Sequence, residues 1–436
     1  MPSFDKLVLS KHMVVSTNSK ETGRNNNVLV VGTSGSGKTY SLVEPTLMEA
    51  RSSSLVVSDP KGTLSRKYGK YFKSKGYTVE ALDFLHLEES TITYDPLRNG
   101  EITNSQEALS FAHTLVSSAI TDAQVVSKDP FWDQMAEVLI ASVVLLMLEV
   151  KCLHPGNFAT LVKLLDSLDV PDATADSLAR TALGRCMEKH SDNMPSSEAY
   201  RLYRSVVSNP SKTLNCIISS VHSVMARYNT ESMRTFTQLE NLFKPEMLMQ
   251  QKTVLFVKCS DVDDTLYGYI NMFYTQTMSR LFQYSDGARS RSRLRPVRFI
   301  LDDFATNVVI PQMPKWSSMM RERQISVMLM IQSITQLEEM YDTGKARTII
   351  SNCDYLAFLR TNDLVTAKEF AERLDIPATD VLYMPIGTMY VFQSGARPMK
   401  DERFDMKTQS RDYRKVYPAK AKLVEEEEPQ SGEKLA

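Results

Sequence analysis

The stretch NNNVLVVGTSGSGKTY, Asn25–Tyr40, places an apolar run directly before a loop of glycine, serine and threonine that ends in a lysine. A loop with so few side chains cannot pack, so its use lies in the backbone amides that it exposes. Gly32, Gly37, Lys38 and Thr39 fit the pattern G-x-x-x-x-G-K-[ST], known as the Walker A motif or P-loop. The stretch therefore predicts a cradle for phosphate groups.

The flanks of this loop distinguish a phosphate site from an ordinary turn. Val28–Val31 precedes the loop as a predicted strand, and Tyr40–Ala50 follows it as a predicted helix. The pattern requires this strand, loop and helix context. The alternative interpretation, a Gly/Ser turn with a surface lysine, lacks support from such flanks. We therefore take a nucleoside triphosphate site as the working hypothesis.

The chemistry of the loop assigns a role to each kind of residue. Loop amides and the helix N-terminus would hold the phosphates, Lys38 would reach the β and γ phosphates, and Thr39 would ligate Mg²⁺. The expected ligands are therefore ATP and Mg²⁺. The residues predicted to bind the nucleotide are Gly32, Thr33, Ser34, Gly35, Ser36, Gly37, Lys38, Thr39 and Tyr40.

Composition places the chain among globular proteins. It has 436 residues, of which 42% are hydrophobic, so it can bury a sizeable core and form two structural units. The formal net charge is -1. Overall charge thus gives no indication of nucleic-acid binding, and any such contact must come from local basic patches.

Cysteine usage and hydropathy indicate a soluble intracellular chain. The five cysteines form no C-x-x-C pair, which is typical of buried thiols in a reducing cytosol rather than of disulfides or a zinc site. The first twenty residues lack the apolar core of a signal peptide. The longest apolar run, Val138–Leu148, falls short of the roughly 20 residues of a bilayer span.

Strand-like and helix-like segments alternate at the start of the chain, which predicts an α/β fold with a mainly parallel central sheet flanked by helices. A long helical stretch then interrupts this pattern and predicts an inserted all-α domain. We assign residues 24–118 and 238–418 to the nucleotide-binding domain and 119–237 to the insertion. Residues 1–23 form a lead-in, and 419–436 an acidic tail that is predicted to be disordered.

Periodicity and capping residues locate the individual elements. Asp129 followed by Pro130, then Asn157 and Ser211, are predicted to open helices of the insertion. The predicted strands are Val28–Val31, Ser54–Ser58, Tyr77–Leu82, Val254–Cys259, Val297–Leu301, Ser326–Ile331, Tyr355–Leu359 and Met389–Phe392.

The segment RFILDDF provides the carboxylates that ATP hydrolysis needs, as a Walker B motif does. Asp302 and Asp303 follow a predicted buried strand, at the edge of a parallel sheet where ligands collect. We assign Asp302 to the Mg²⁺ shell and Asp303 to positioning or deprotonating the attacking water. Taken alone, the pair also fits an ordinary turn at a strand end.

Two further candidates surround the next predicted strand. Gln332 follows that strand, where its amide would lie next to the γ phosphate, although a polar residue ending a strand is also common. Arg321 and Arg323 precede it. In a ring-forming ATPase such an arginine can reach a neighbouring site and neutralise charge in the transition state, whereas solvated surface arginines are the simpler interpretation.

In combination, these motifs carry a resemblance to a known family. The chain resembles the coupling ATPases of conjugation and type IV secretion (TraG/TraD-like proteins), which are RecA-like P-loop motors related to FtsK-type DNA translocases. The resemblance extends from about residue 24 to about residue 400. The matching segments are VLVVGTSGSGKT, VVSDPKG, TYDPLRN, DPFWDQMAEVLI, LDDF, VMLMIQSITQLEEMY, SNCDYLAFLRTND and LYMPIGTMYVFQSGARP.

The resemblance implies a homohexameric ring with ATP at the subunit interfaces, at the cytoplasmic face of the bacterial membrane. It implies DNA, single or double stranded, and a relaxase as partners, together with components of the secretion channel. Gln332 matches the family's glutamine one strand after Walker B. Arg321 is our choice for the inter-subunit arginine, with Arg323 in reserve.

The sequence departs from the family pattern in two ways. Most members carry Asp-Glu where this chain has Asp302-Asp303, which draws the second carboxylate back by roughly 1.5 Å; a misplacement of about 1 Å can slow a reaction about 100-fold. The family's N-terminal membrane anchor is also missing. Either the chain is truncated, or a partner recruits it to the membrane.

Three functional hypotheses follow. The favoured one is an ATP-driven motor that recruits relaxase-bound DNA or protein and moves it through a ring. The second is a docking platform gated by nucleotide binding, with slow hydrolysis because of Asp303. The third is an FtsK-type chromosome translocase. The one strongly basic stretch, Arg289–Arg298, would suit phosphate contacts in any of them, although a solvated loop explains it equally simply.

Overall fold

The structure is a computed structural model. It describes residues 4–99, 102–119, 130–150, 153, 156–260, 262–304 and 309–409. The chain divides into two compact units. Unit 1 comprises residues 1–81, 245–261 and 280–436, and unit 2 comprises residues 82–244 and 262–279. Each unit is described separately below.

A nine-stranded sheet organises unit 1, and a two-stranded antiparallel ribbon of β1 and β2 precedes it. The strand order in the sheet is β11-β10-β9-β3-β8-β7-β4-β6-β5. The strands are β1 Lys6–Val8, β2 Val14–Ser16, β3 Val28–Gly32, β4 Ser54–Ser58, β5 Thr78–Asp83, β6 Thr253–Lys258, β7 Val297–Leu301, β8 Ile325–Ile331, β9 Tyr355–Arg360, β10 Thr388–Gln393 and β11 Met399–Glu402.

The pairing confirms the predicted α/β fold with a mainly parallel sheet. β3 pairs in parallel with β8 and β9, β7 with β8 and β4, and β4 with β6. β10 is antiparallel to β9 and β11. The eight predicted strands all occur, two with the predicted bounds and six with ends shifted by one residue, whereas β1, β2 and β11 were not predicted.

The central strands are mainly apolar because helices cover both faces of a parallel sheet. All residues of β3, β7 and β8 are buried. On one face, the helix Thr63–Ser74 contributes Tyr68 and Phe72 to the core, and the Phe72 ring lies 5.0 Å from that of Tyr77, edge to face. This packing fixes the strands that carry the predicted site.

The remaining helical segments of unit 1 are mostly short. The segment Tyr267–Gly287 begins in unit 2 and ends in unit 1. The others are Ser19–Thr22, Thr39–Val43, Glu44–Met48, Met247–Gln250, Arg291–Arg293, Met313–Ser317, Arg321–Arg323, Ile334–Tyr341, Thr343–Ser351, Leu364–Leu374, Ala378–Leu382 and Met406–Gln409.

Unit 2 is built from helices around the long segment Pro130–Glu149, which packs against Ser105–Ala119 and Glu198–Val207. Asn157 caps its helix as predicted, by accepting a hydrogen bond from Thr160 N. The other helical segments of this unit are Leu87–Glu89, Pro96–Asn99, Phe158–Asp166, Ala175–Ala179, Ala182–Asn193, Ser211–Ala226 and Glu231–Gln238. The predicted cap at Asp129 lies outside the described residues.

The segment TYDPLRN lies in the core of unit 2. Asp95 is buried and accepts hydrogen bonds from the backbone N–H groups of Leu97, Arg98 and Phe158, so it joins two helix starts. Burial raises the pKa of Asp95 to about 6 although these hydrogen bonds oppose the rise. Its role is therefore structural.

One helix within the described ranges, Phe131–Glu149, is long and apolar enough to cross a membrane by length and composition. In the fold, 56% of that helix window is buried. The core helix of a soluble protein has the same properties. The finding therefore carries no conclusion about the membrane.

Candidate nucleotide site

The phosphate loop begins where β3 ends, and its backbone adopts conformations that glycine permits. Gly35 and Gly37 have φ angles of 69° and 85°, in the left-handed region. A Cβ atom on Gly32 would lie 2.5 Å from Ser36 Oγ. The loop therefore requires glycine at each of these positions, since a side chain would be strained or would clash.

Lys38 lies folded against the loop that precedes it. Its Nζ donates hydrogen bonds to the carbonyls of Gly32, at 2.5 Å, and Thr33, at 3.4 Å. Burial lowers the pKa of Lys38, whereas the charges of Asp303 and Asp302 raise it. Both carboxylates therefore act on the same ammonium group, as the sequence predicted for the two halves of an ATP site.

Asp302 and Thr39 form the contact expected of a magnesium site. Thr39 Oγ1 donates a hydrogen bond to Asp302 Oδ2 at 2.7 Å, across 263 residues of sequence. Burial raises the pKa of Asp302, and the hydrogen bond from Thr39 opposes the rise. A hydroxyl and a carboxylate oxygen are the ligands that Mg²⁺ takes beside nucleotide phosphates and water. The donor set therefore fits this ion.

Asp303 turns the chain sharply at the end of β7. Its φ angle is 50°, and its backbone N–H donates to Asp302 Oδ1 at 3.1 Å. Aspartate tolerates this left-handed conformation better than most residues because its short side chain bonds locally. Glutamate, with its longer side chain, has no such advantage.

The sheet order brings Gln332 to the same edge as the loop and the aspartates. β8 lies between β3 and β7, so its carboxyl end adjoins both the P-loop and Asp302. The backbone N–H of Gln332 donates to Gln336 Oε1 at 3.3 Å, and Ser333 caps the helix that follows. This placement suits the predicted role, which stays a prediction.

Arg321 lies at the opposite edge, before β8 begins. It is exposed and donates from Nη2 to Ser19 O at 3.3 Å. Arg323 is held by two hydrogen bonds to Asp286 and lies over the Phe282 ring. The structure thus does not bring Arg321 to the site of its own chain, and its inter-subunit role stays a prediction.

Two arginines beside the loop escaped the sequence analysis. Arg360 ends β9, and its carbonyl accepts a hydrogen bond from Thr33 N at 3.1 Å. Arg403 follows β11, and its Nη1 lies 3.0 Å from the place where a Cβ on Gly37 would be. Burial lowers the pKa of Arg403, and the charge of Arg360 lowers it further. The two cations are therefore close neighbours at the loop.

The helix after the loop begins with a π-helical turn, Thr39–Val43, where the sequence predicted a regular helix. Glu44 N donates to Thr39 O, five residues back. Pro45 follows and has no N–H for a regular bond to Ser41 O, so the wider turn takes its place. Tyr40 OH donates to Asp405 Oδ1 at 3.1 Å, which ties this turn to the segment of Arg403.

Orphaned polar atoms show that the loop suits a polyanionic ligand. Among the described residues, four buried side-chain atoms at the site have no hydrogen-bond partner, namely Thr33 Oγ1, Ser36 Oγ, Arg360 Nε and Arg403 Nε. Buried polar atoms in proteins are nearly always paired. A nucleoside triphosphate can supply the acceptors that these donors lack.

A family model for conjugative DNA transfer by the type IV secretory system matches residues 5–375. The matched range contains the phosphate loop, both aspartates and Gln332. The chain belongs to this family. Membership in the conjugative DNA transfer family confirms the resemblance drawn from the motifs, and it selects the secretion branch over FtsK-type translocases.

Solved structures of the plasmid coupling protein TrwB share the fold. Its complex with the ATP analogue ADPNP has a TM-score of 0.64 at 15% identity and covers 92% of this chain and 95% of that chain. The complex with ADP and Mg²⁺ has a TM-score of 0.62 at the same identity and coverage. The TrwBdeltaN70 form with sulphate has a TM-score of 0.63 at 15% identity and covers 86% and 85%.

This likeness confirms the RecA-like P-loop fold of the conjugative DNA transfer family and shows nothing further at so low an identity. A search of curated protein sequences finds no match to the chain.

Proposed function

We propose that this chain is the coupling ATPase of a conjugative type IV secretion system, which binds ATP and Mg²⁺ and uses hydrolysis to move DNA or protein. The observation that carries the proposal is the meeting of Lys38, Thr39, Asp302 and Asp303 at one edge of the sheet. The TrwB complexes with ADP and Mg²⁺ and with the ATP analogue ADPNP have this fold.

Each residue of the site then has a defined task. The loop amides and the Lys38 ammonium bind the phosphate oxygens, and Arg360 and Arg403 add two cations beside them. Thr39 and Asp302 hold Mg²⁺, which supplies positive charge to the β and γ phosphates. Asp303 orients or deprotonates the attacking water. Gln332 lies at the end of the adjoining strand, next to the γ phosphate.

The second candidate function is a docking platform in which ATP binding controls assembly and hydrolysis is slow. The short side chain of Asp303 supports this alternative, because it draws the carboxylate back by about one C–C bond from where a glutamate would place it, and a misplacement of about 1 Å can slow a reaction about 100-fold. The two candidates differ in their response to DNA. A motor is stimulated by its DNA substrate, whereas a platform binds ATP without faster turnover.

The assembly that we propose is a hexameric ring at the cytoplasmic face of the cell membrane. In that ring Arg321 of one subunit would reach the site of the next, and relaxase-bound DNA and the secretion channel would be the partners. Membership in the conjugative DNA transfer family supports these partners. An anchor beyond this sequence or a partner protein would provide the membrane association.

The decisive measurement is steady-state ATPase activity against protein concentration, with and without single-stranded DNA. The proteins are the given chain, Lys38→Ala and Asp303→Glu. For a motor, we expect cooperative, DNA-stimulated turnover that Lys38→Ala abolishes. Binding of ATP with negligible turnover that Asp303→Glu restores would contradict the motor and leave the platform.

A further inference from the structure

A second basic site lies at the edge of the sheet opposite the phosphate loop. A cavity of about 210 Å³ opens where β7 and β8 begin, and Arg298, Ser326 and the segment before β3 line it. The length of β8 separates this cavity from the nucleotide edge by roughly 20 Å. It is therefore distinct from the ATP site of its own chain.

The lining of this cavity is cationic. Lys20, Arg298 and Arg321 all contribute to it, and its described lining contains no carboxylate. The carboxylate whose charge acts on Arg298 is that of Asp5. Its carboxylate already accepts hydrogen bonds from the backbone N–H groups of residues 51–53 and from Ser52 Oγ. The cavity therefore has a surplus of positive charge.

Arg298 is the unusual member of this group. Its side chain belongs to a central strand and is only 3% exposed. Its Nε donates to Ser326 Oγ at 3.2 Å, and within the described part of the chain no other hydrogen bond or ion pair involves its guanidinium. A buried arginine stays charged and is costly to leave unpaired. An anion in the cavity would pair with the free Nη groups.

The size and the remaining lining of the cavity define the ligand. A volume of about 210 Å³ equals roughly seven water molecules, less than the 300 Å³ or more of a pocket for a whole drug-sized ligand. One phosphate group with part of a sugar fits. Asn26 Oδ1 is buried without a partner there and can accept from a hydroxyl. Phe4, at 44% exposed, also lines the cavity and offers a face for a base.

We propose that this cavity binds one phosphate group of a single-stranded nucleic acid, with a neighbouring base against Phe4. The inference rests on the proposed function, because it takes the DNA substrate from there. The proposal also gives a role to the basic stretch Arg289–Arg298. Arg298 of this stretch is buried, while Arg289 and Arg293 are exposed.

The test is fluorescence anisotropy of a labelled single-stranded oligonucleotide across a range of salt concentrations. The variants are Arg298→Met, which keeps the side-chain volume, and Lys20→Met, which changes an exposed residue. Arg289→Met is the matched control because it removes an exposed arginine of the same basic stretch. Melting temperatures and basal ATPase rates establish that each variant is folded.

We expect Arg298→Met to weaken oligonucleotide binding about tenfold or more and Lys20→Met to weaken it severalfold, with the control unchanged. The slope of log K against log salt should fall by about 0.7 for each lost phosphate contact. Oligonucleotide binding by Arg298→Met and Lys20→Met that equals that of the control would overturn the inference. If Arg298→Met does not fold, the oligonucleotide affinity of Lys20→Met, compared with that of the control, decides whether the inference stands.

Inorganic phosphate and anionic lipid headgroups also carry phosphate, and each would give a different result in these assays. If inorganic phosphate raises the melting temperature of the given chain but not of Arg298→Met, while both bind the oligonucleotide equally, the cavity takes free phosphate and the inference is wrong. The inference is also wrong if the given chain and Arg298→Met differ only in their binding to vesicles with anionic lipid. If the given chain binds no oligonucleotide at all, the proposed function fails as well.

Discussion

Lys38 is the cationic residue of the phosphate loop, and Arg360 and Arg403 add positive charge beside it. Both Nε atoms are buried without partners among the described residues, and the Arg403 guanidinium adjoins Gly37. Two neighbouring cations repel each other, so an anion between or beside them would relieve that repulsion. We therefore propose that both arginines pair with the phosphates of the nucleotide.

We expect Arg403→Met to weaken ATP binding about tenfold, because methionine keeps the apolar contacts and loses the charge-assisted hydrogen bonds. Titration with a fluorescent ATP analogue would measure the affinity. Arg397→Met is the control, since Arg397 is exposed in the turn between β10 and β11. Equal affinities of the two variants would exclude Arg403 from the site.

The sequence predicted the local part of this site and missed the non-local part. Lys38, Thr39, Asp302 and Asp303 lie in short motifs whose meaning comes from their own neighbours. Arg403 reaches the loop only because β10 and β11 fold back beside β9. The pairing of these strands leaves no motif in the sequence, so the contact of Arg403 with the loop could not be predicted from it.

At the scale of elements, the π-helical turn Thr39–Val43 determines where Thr39 lies relative to Asp302. Residues 44–48, which follow the turn, are all buried. A regular α-helix through the turn would therefore move its start, at Thr39, relative to these residues, and Pro45 disfavours that arrangement. The stretch LVEPTLM contained this signal, since a proline within a predicted helix marks an irregular hydrogen bond.

We therefore expect Pro45→Ala to lower the ATPase rate about tenfold or more while the melting temperature stays equal or rises. The new N–H can donate to Ser41 O, which favours a regular helix and misplaces the Thr39 hydroxyl. Steady-state ATPase assays and thermal melts would measure both effects. Pro314→Ala, in a short helix of the same unit, is the control. Full activity of Pro45→Ala would show that the wider turn has no catalytic value.

The central strands were predictable as elements for a physical reason. β3, β7 and β8 are buried on both faces, so each appears in the sequence as an unbroken apolar run next to a polar motif. The exceptions are Ser326 in β8 and Arg298, which belongs both to the basic stretch Arg289–Arg298 and to the predicted strand Val297–Leu301 and which lies within β7. β1 and β2 have three residues each, too few for alternation to indicate a strand.

At the scale of the whole molecule, unit 1 contains the nucleotide site, and unit 2 contains a buried carboxyl group that makes its stability depend on pH. The residues of the nucleotide site all belong to unit 1, whereas Asp95 lies in the core of unit 2. Asp95 has an ordinary pKa of 3.8 when unfolded and about 6 when folded. The folded protein therefore holds the additional proton between these values, and unit 2 loses stability as pH rises through that window.

The loss is about 2 kcal/mol between pH 4 and pH 7, from the size of the pKa change and the part of it that this pH range covers. Urea unfolding followed by hydrogen exchange of unit 2 amides would measure it. We expect Asp95→Asn to remove this pH dependence, since asparagine does not titrate. If Asp95→Asn keeps the full dependence of the free energy of unfolding on pH, another group causes the effect.

The bonds between the start of the chain and β11 have a mechanical consequence. Lys11 pairs with Glu402 by side chain and by backbone, and hydrogen bonds from Ser10 and His12 lower the pKa of Asp401 to about 2 against the effect of burial. A force that pulls residues 4 and 409 apart is borne first by this clamp, which closes a loop of about 390 residues. The strands β3 to β10, which lie inside this loop, would then be shielded from that load.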